Sequence, residues 1–182
     1  MRIVSGKFRG KIIVAPKNLP VRPTTDMAKE SLFNILNNYY HFDQVEVLDL
    51  FAGTGNITYE FGSRGTESIT AVDLDRDCTR FIRKTSEAMG LDSVKVYQED
   101  AIQFLKKAYQ TWDIIFADPP YDHPEVEQIP DVVLDRELLK EGGMLVLEHS
   151  EDHDFSDHPG FYDSRKYGRV HFTLFIPESD QE

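Results

Sequence analysis

Three features of the sequence predict an α/β fold built on a doubly wound, mainly parallel sheet. From Val45 onward, short apolar runs alternate with amphipathic stretches, the rhythm of repeated βα units with right-handed crossovers. The first of these runs ends in a tight glycine turn, Ala52-Gly53-Thr54-Gly55. The last two, residues 161–165 and 170–176, alternate apolar and polar side chains across Tyr167-Gly168, which predicts an antiparallel closing pair.

In chain order, residues 2–14 alternate around Gly6 and Gly10 and read as a β-hairpin extension with basic residues at its turn and Phe8 at the tip. A lone hairpin is marginal in water, so it must pack on the domain or grip a partner. Residues 16–23 read as a linker. Residues 28–39 carry Leu32, Phe33, Ile35 and Leu36 at helical spacing, with Thr24 or Thr25 as the N-cap. Residues 45–51, VEVLDLF, predict a buried first strand, and 57–64 a helix. Residues 69–73 predict the second strand, and 76–89 an amphipathic helix stopped by Gly90. Strand three is expected over 94–97, a helix over 101–109, strand four over 112–117, and a helix over 126–140. Strand five is expected over 144–148, after Gly142-Gly143, and residues 177–182 read as a frayed tail. The chain divides into a basic hairpin and helix, 1–40, and a sheet domain, 41–182.

Composition narrows the class. The chain has 182 residues, 40% of them apolar and 12% aromatic, enough for one domain with a sizeable core. No apolar run approaches the ~20 residues of a membrane span, and the N-terminus lacks a signal-peptide core. One cysteine, Cys78, excludes an internal disulfide and a cysteine-built zinc site, and points to a reducing, cytoplasmic setting. It follows the acidic stretch 73–77, which should raise its thiol pKa, so it reads as a small helix-packing residue. The net charge of −12 argues against nucleic acid, but its distribution argues the other way. Residues 1–35 hold seven basic and two acidic side chains, net +5; the remainder holds thirteen basic and thirty acidic, net −17. Such asymmetry points to a nucleic-acid-binding arm, here Arg2, Lys7, Phe8, Arg9, Lys11 and Arg22; the plain alternative is a solvated basic hairpin. The hairpin lies outside the sheet and is not expected to help build the cofactor pocket.

Chemistry concentrates in residues 112–121, WDIIFADPPY. Ile114, Ile115 and Phe116 make a strand covered on both faces, and two prolines end its pairing. One carboxylate (Asp118), outward carbonyls and one ring (Tyr121) are thereby held at the C-terminal edge of the sheet, where open α/β sheets bind ligands. Oxygen acceptors beside a stacking ring suit a flat heterocycle carrying an NH2 group. The run Asp49-Leu50-Phe51-Ala52-Gly53-Thr54-Gly55 lets backbone N–H groups approach a ligand. A dinucleotide fingerprint would place a third glycine where Thr58 stands, and no basic residue is nearby for phosphates, which weakens the reading of a nicotinamide cofactor. Asp49 suits a cationic ligand, through its amino group or a sulfonium. Asp73, ending the second strand, can accept both hydroxyls of a ribose, and does not distinguish NAD from S-adenosylmethionine. Asp100 is placed to meet an adenine amino group, with the Ala101 N–H available to the ring. Each acid alone reads as a cap or a solvated charge; together they follow strands one to four of one sheet. No metal is needed, and His149, His153 and His158 read as solvated loop residues.

Asp118-Pro119-Pro120-Tyr121 looks like the signature of methyltransferases that use S-adenosylmethionine and act on amino groups. Adding residues 2–10 (RIVSGKFRG), 22–26 (RPTTD), 29–34 (KESLFN) and Tyr167-Gly168, the chain resembles the RsmD family of bacterial methyltransferases acting on guanine N2 of small-subunit, 16S, ribosomal RNA. The resemblance covers almost the whole chain, and its N-terminal motifs are the selective part. It implies a Rossmann-like class I methyltransferase fold, S-adenosylmethionine as cofactor, and 16S rRNA in an assembling small subunit as the partner of a monomeric enzyme. It implies that the RPTTD segment closes over the methionine end of the cofactor, with Thr24 and Thr25 near its carboxylate, and that Phe51, Gly53 and Gly55 belong to the cofactor site. It also implies catalytic roles for Asp118, Pro119, Pro120 and Tyr121. Asn56-Ile57-Thr58 departs from the smaller residues that relatives often carry there, which bears on helix packing. Other readings of the same motif are methylation of adenine N6, a protein amide or a small amine, or a catalytically silent RNA-binding assembly factor.

Overall fold

The structure is a computed structural model that describes residues 1–21 and 24–181. Arg22, expected to touch RNA, and Pro23 of the RPTTD segment lie outside the described residues. Among the described residues, twelve helices and strands follow in order: α1 (Asp26–Asn37), β1 (Glu46–Leu50), α2 (Asn56–Ser63), β2 (Ser68–Asp73), α3 (Arg76–Ala88), β3 (Val94–Gln98), α4 (Ala101–Lys107), β4 (Trp112–Ala117), α5 (Gln128–Asp135), β5 (Leu139–His149), β6 (Phe161–Tyr167) and β7 (Val170–Phe175). They build one seven-stranded sheet in the order β3-β2-β1-β4-β5-β7-β6. The first five strands are parallel; β7 runs antiparallel to both β5 and β6.

Alternation along the strands divides the core between two faces. Leu48, Leu50, Ile115, Leu145 and Leu147 join Ile102, Leu105, Ile129 and Val133 of α4 and α5. Val47, Ile114, Phe116, Val146 and Phe172 face the other way, against Leu32, Phe33 and Leu36 of α1 and Ile57 and Phe61 of α2. Both faces are apolar, hence the continuous apolar runs of β1 and β4. The Thr25 side chain accepts the Ala28 N–H at 3.1 Å and caps α1.

Four expectations are corrected. The helix expected over 126–140 ends at Asp135, because the chain turns through a left-handed Glu137 (φ 54°) and re-enters the sheet at Leu139. Gly142-Gly143 therefore lies inside β5, opposite a register shift between Trp112 and Ile114. A side chain at Gly143 would meet the Lys140 and Trp112 carbonyls at 2.8 and 3.0 Å, so the glycines form a bulge. The N-terminal hairpin is present, with residues 1–3 hydrogen-bonded to residues 10–13 around the Arg2–Ile12 bridge, and it docks on α2, so that Phe8 is not an exposed tip. The Lys7 N–H donates to the Ser63 carbonyl at 2.7 Å, and the Phe8 N–H to Ser63 Oγ at 2.9 Å. Gly6 is required there, since a Cβ would fall 2.0 Å from the Ser63 carbonyl oxygen. Phe8 is half-buried, packed with Ile3, Ile13 and Tyr59.

The histidines are the remaining correction. His149 is buried at the end of β5, with Nδ1 2.8 Å from the Ser150 carbonyl and Nε2 2.6 Å from Thr173 Oγ1. The first contact requires the proton on Nδ1, so Thr173 donates to Nε2. Burial pulls the His149 pKa below the usual range. His158 pairs with Asp131 at 2.7 Å, and His153 stacks on Phe155. Cys78 is buried in α3, its thiol pushed up to about 12 by burial and then by Asp73 and Asp75. Among the described residues no helix is long and apolar enough to cross a membrane.

Candidate active site

A cavity of about 1070 Å³ opens at the C-terminal edge of the parallel strands. Its wall includes Asp49 of β1, Asp73 of β2, Asp100 and Ala101 after β3, and Asp118, Pro119, Pro120 and Tyr121 after β4. Residues far apart in sequence meet there because every parallel strand ends on the same edge. Phe51 and Gly53 also line it, and so does Thr24. Thr25 and Gly55 do not; they cap α1 and α2 respectively.

The turn after β1 is strained where it faces the cavity. Phe51 is left-handed (φ 56°), a conformation a bulky residue rarely holds. The Phe51 ring meets His123 edge-on at 5.4 Å, so the wall beside Asp118 is aromatic. Gly53, also left-handed, donates its N–H to Asp73 Oδ2 at 2.8 Å, and the Asp75 N–H donates to Oδ1 at 2.9 Å. Both Asp73 oxygens keep lone pairs for a ligand. Burial holds the Asp73 pKa above the ordinary carboxylate range, and the two N–H donors oppose that shift. Asp100 caps α4 by accepting the Gln103 N–H at 3.0 Å.

Asp49 is a buried, perturbed acid. Its carboxylate is 1% exposed and accepts the Thr58 hydroxyl at 2.7 Å. Burial pushes its pKa up to about 7, the charges of Asp118 and Asp73 add to the shift, and the Thr58 hydroxyl opposes it. Among the described residues this buried carboxylate, set among other carboxylates, has no positive partner. S-adenosylmethionine fits this donor set: a cationic end for Asp49, a ribose diol for Asp73, an adenine for Asp100 and the Ala101 N–H. Losing the charged hydrogen bonds to ribose should cost ~1.5–3 kcal/mol, so Asp73→Ala should bind this cofactor roughly 10- to 150-fold more weakly by calorimetry, with the fold intact by circular dichroism.

An ion cluster, not expected from the sequence, lies behind the glycine turn. Lys29 of α1 and Glu60 of α2 are fully buried and meet at 3.2 Å. Glu60 also accepts Arg64 Nε and the backbone N–H groups of Val4 and Ser5. Lys29 donates to the Arg2 carbonyl and to Asn56 Oδ1 as well. Burial lowers the Lys29 pKa, and Glu60 opposes the shift. A signal was present: Lys29 shares a helical face with Leu32, Phe33 and Leu36, and Glu60 stands between Ile57 and Phe61. The cluster ties the N-terminal segment into the site. Met1, Ile13, Val14 and Ala15 line the cavity, so the expectation that the hairpin takes no part in building the pocket is corrected.

Arg2 pairs with Asp26 at 3.0 Å, and Lys7 lies over the Phe8 ring. Lys7, Arg9 and Lys11 are exposed and enter no ion pair among the described residues.

The family described as "Conserved hypothetical protein 95" matches residues 1–176. YlbH of Bacillus subtilis is 34% identical over 156 residues, 84% of each chain. "Ribosomal RNA small subunit methyltransferase D" of Haemophilus influenzae is 31% identical over 156 residues, 84% of this chain and 80% of that one. The solved structure of yhhF from Escherichia coli superposes with a TM-score of 0.85 at 26% identity, covering 98% of each chain.

Proposed function

The chain belongs to the family described as "Conserved hypothetical protein 95", the RsmD family of S-adenosylmethionine-dependent rRNA methyltransferases, and from that premise we propose that it methylates the exocyclic N2 amine of a guanine in 16S rRNA by direct in-line displacement. The observation that carries the choice of an amine is Asp118-Pro119-Pro120-Tyr121, set on one cavity wall beside the acids that fit the cofactor. When bound, S-adenosylmethionine supplies an electrophilic methyl group on a positively charged sulfur. The guanine amine is a poor nucleophile, because its lone pair is delocalised into the ring. The Asp118 carboxylate and the Pro119 carbonyl accept its two N–H bonds, turn the nitrogen toward tetrahedral geometry and stabilise the charge that develops on it. Pro119 and Pro120 hold these acceptors rigidly at the strand end. Positioning of this kind can supply up to ~7–11 kcal/mol of a barrier. Tyr121 stacks on a base splayed out of its helix or loop, an interaction worth ~1–3 kcal/mol. Asp49 holds the cationic end of the cofactor, and Phe51, Gly53, Asp73, Asp100 and Ala101 hold the rest; Thr24 closes over the methionine end, and Thr25 supports it by capping α1.

The same reading assigns residues 1–40 to closing the cofactor site and gripping RNA, and residues 41–182 to catalysis. It places a monomeric enzyme in the cytoplasm, acting on the small subunit as it assembles. The deciding experiment is transfer of tritiated methyl groups to unmethylated 30S particles, followed by nucleoside analysis. N2-methylguanosine is the expected product; label in adenosine or in protein would overturn the substrate assignment.

Removing the basic arm whole would strip residues from the cavity wall, so point substitutions test it better. With Lys7, Arg9 and Lys11 all changed to alanine, cofactor binding should stay unchanged and RNA methylation should fall. The slope of log affinity for RNA against log salt should flatten by roughly 0.7–0.9 for each phosphate that the arm no longer neutralises. An unaltered slope would make the arm purely structural.

A further inference from the structure

The Lys29 ammonium has three N–H bonds, and three acceptors surround it: the Arg2 carbonyl, Asn56 Oδ1 at 2.9 Å and Glu60 Oε1 at 3.2 Å. An ammonium only donates, so the Asn56 amide must present its oxygen to Lys29. The orientation of the amide is thereby settled, and its NH2 group faces away from the ion cluster. Asn56 is the first residue of α2 and lines the large cavity. Among the described residues its NH2 group has no hydrogen-bond partner.

We infer that Asn56, oriented by Lys29, is a cofactor-binding residue whose NH2 group donates to the carboxylate at the methionine end of S-adenosylmethionine. The inference rests on the methyltransferase reading above. Position carries the first part of the argument. Asp73 and Asp100 commit the ribose and adenine to the β2 and β3 side of the cavity, while Asn56 opens α2, the helix that follows the Asp49 strand β1. The cofactor's amino and sulfonium groups suit Asp49, but its carboxylate is repelled by the acids that dominate this edge and needs donors. The first turn of α2 provides them. The backbone N–H groups of Asn56 and Ile57 have no partner within the helix and carry the positive end of the helix dipole, while the Thr58 N–H is taken by Asp49. The Asn56 NH2 group adds two more donors at the same place. The charge of Lys29 itself is not available, because Glu60 neutralises it. Lys29 is a positioning residue that acts through the amide. Thr58, two residues on, fixes the Asp49 carboxylate by a 2.7 Å hydrogen bond. One turn of α2 thus serves both charges of an amino-acid group: Thr58 through Asp49 for the cation, and Asn56 for the anion.

The test uses the full chain and calorimetry with two ligands, S-adenosylmethionine and its decarboxylated form, which lacks only the carboxylate. Asn56→Ala should weaken the first roughly 10- to 100-fold and leave the second within about twofold. Asn56→Asp is the sharper variant. It keeps an oxygen for Lys29 and hence the thermal midpoint, but turns a second oxygen toward the cofactor carboxylate. It should weaken S-adenosylmethionine more than Asn56→Ala does, without weakening the decarboxylated ligand. Wild-type affinity for S-adenosylmethionine in either variant would overturn the inference. So would an equal loss for both ligands, which would mark Asn56 as a brace for the turn. Failure of the unmodified chain to bind S-adenosylmethionine is a different result, and it would overturn the cofactor reading itself.

Discussion

Asp118→Ala should lower methyl transfer to unmethylated 30S particles by roughly 10²–10³-fold while changing cofactor affinity little. The carboxylate stands on the cavity wall at the end of β4, where it can take an N–H of the target amine. Its contribution is greatest in the transition state, when the nitrogen loses conjugation and gains positive charge. The loss should therefore appear in kcat more than in the KM for RNA. Asp118→Asn is informative beside it, since the amide keeps one acceptor oxygen and the shape but not the charge. Its rate should lie between those of wild type and alanine. Removing Asp118 also relieves Asp49 of a neighbouring charge that raises its pKa. A small gain or loss in cofactor affinity is compatible with that, whereas near-normal turnover in Asp118→Ala would sink the proposed role.

Glu60→Ala should cost about 3–5 kcal/mol of stability, because a buried ion pair stripped of one member leaves the other uncompensated. Here the substitution would strand Lys29, remove the acceptor for the Arg64 guanidinium, and leave the Val4 and Ser5 N–H groups without their partner. For a chain of this size the thermal midpoint should fall by roughly 6–20 °C. The double variant Lys29→Met with Glu60→Leu should recover a large part of that stability, since two apolar side chains can fill the site without a charge. Cofactor affinity in that double variant should remain low, however, because Asn56 has lost its orienting donor. A fall of less than about 1 kcal/mol in Glu60→Ala would mean that water replaces the carboxylate and that the cluster does not hold the N-terminal segment in place.

The sequence alone determined the sheet and the edge at which the cavity opens. Apolar runs interleaved with amphipathic stretches admit few topologies, and parallel strands deliver their C-terminal ends to one edge. Asp49, Asp73, Asp100 and Asp118 could therefore be placed together without coordinates, each being the residue at or just beyond a strand end. A threonine cap on α1, at 24 or 25, was legible because capping depends on a few neighbouring residues, and the structure selects Thr25. Tertiary structure decided what depends on distant segments meeting. The arm is docked because Ser63 and Glu60 offer acceptors to backbone N–H groups of Val4, Ser5, Lys7 and Phe8, and backbone donors leave no pattern in sequence. Gly142-Gly143 was expected to precede strand five and is a bulge within it, because the carbonyls of Lys140 and Trp112 leave no room for a side chain at Gly143. Lys29 and Glu60 stand on two helices far apart in sequence. Burial of either alone would be prohibitive, so each is tolerable only because the fold delivers the other, and that mutual dependence exists only once the chain has folded.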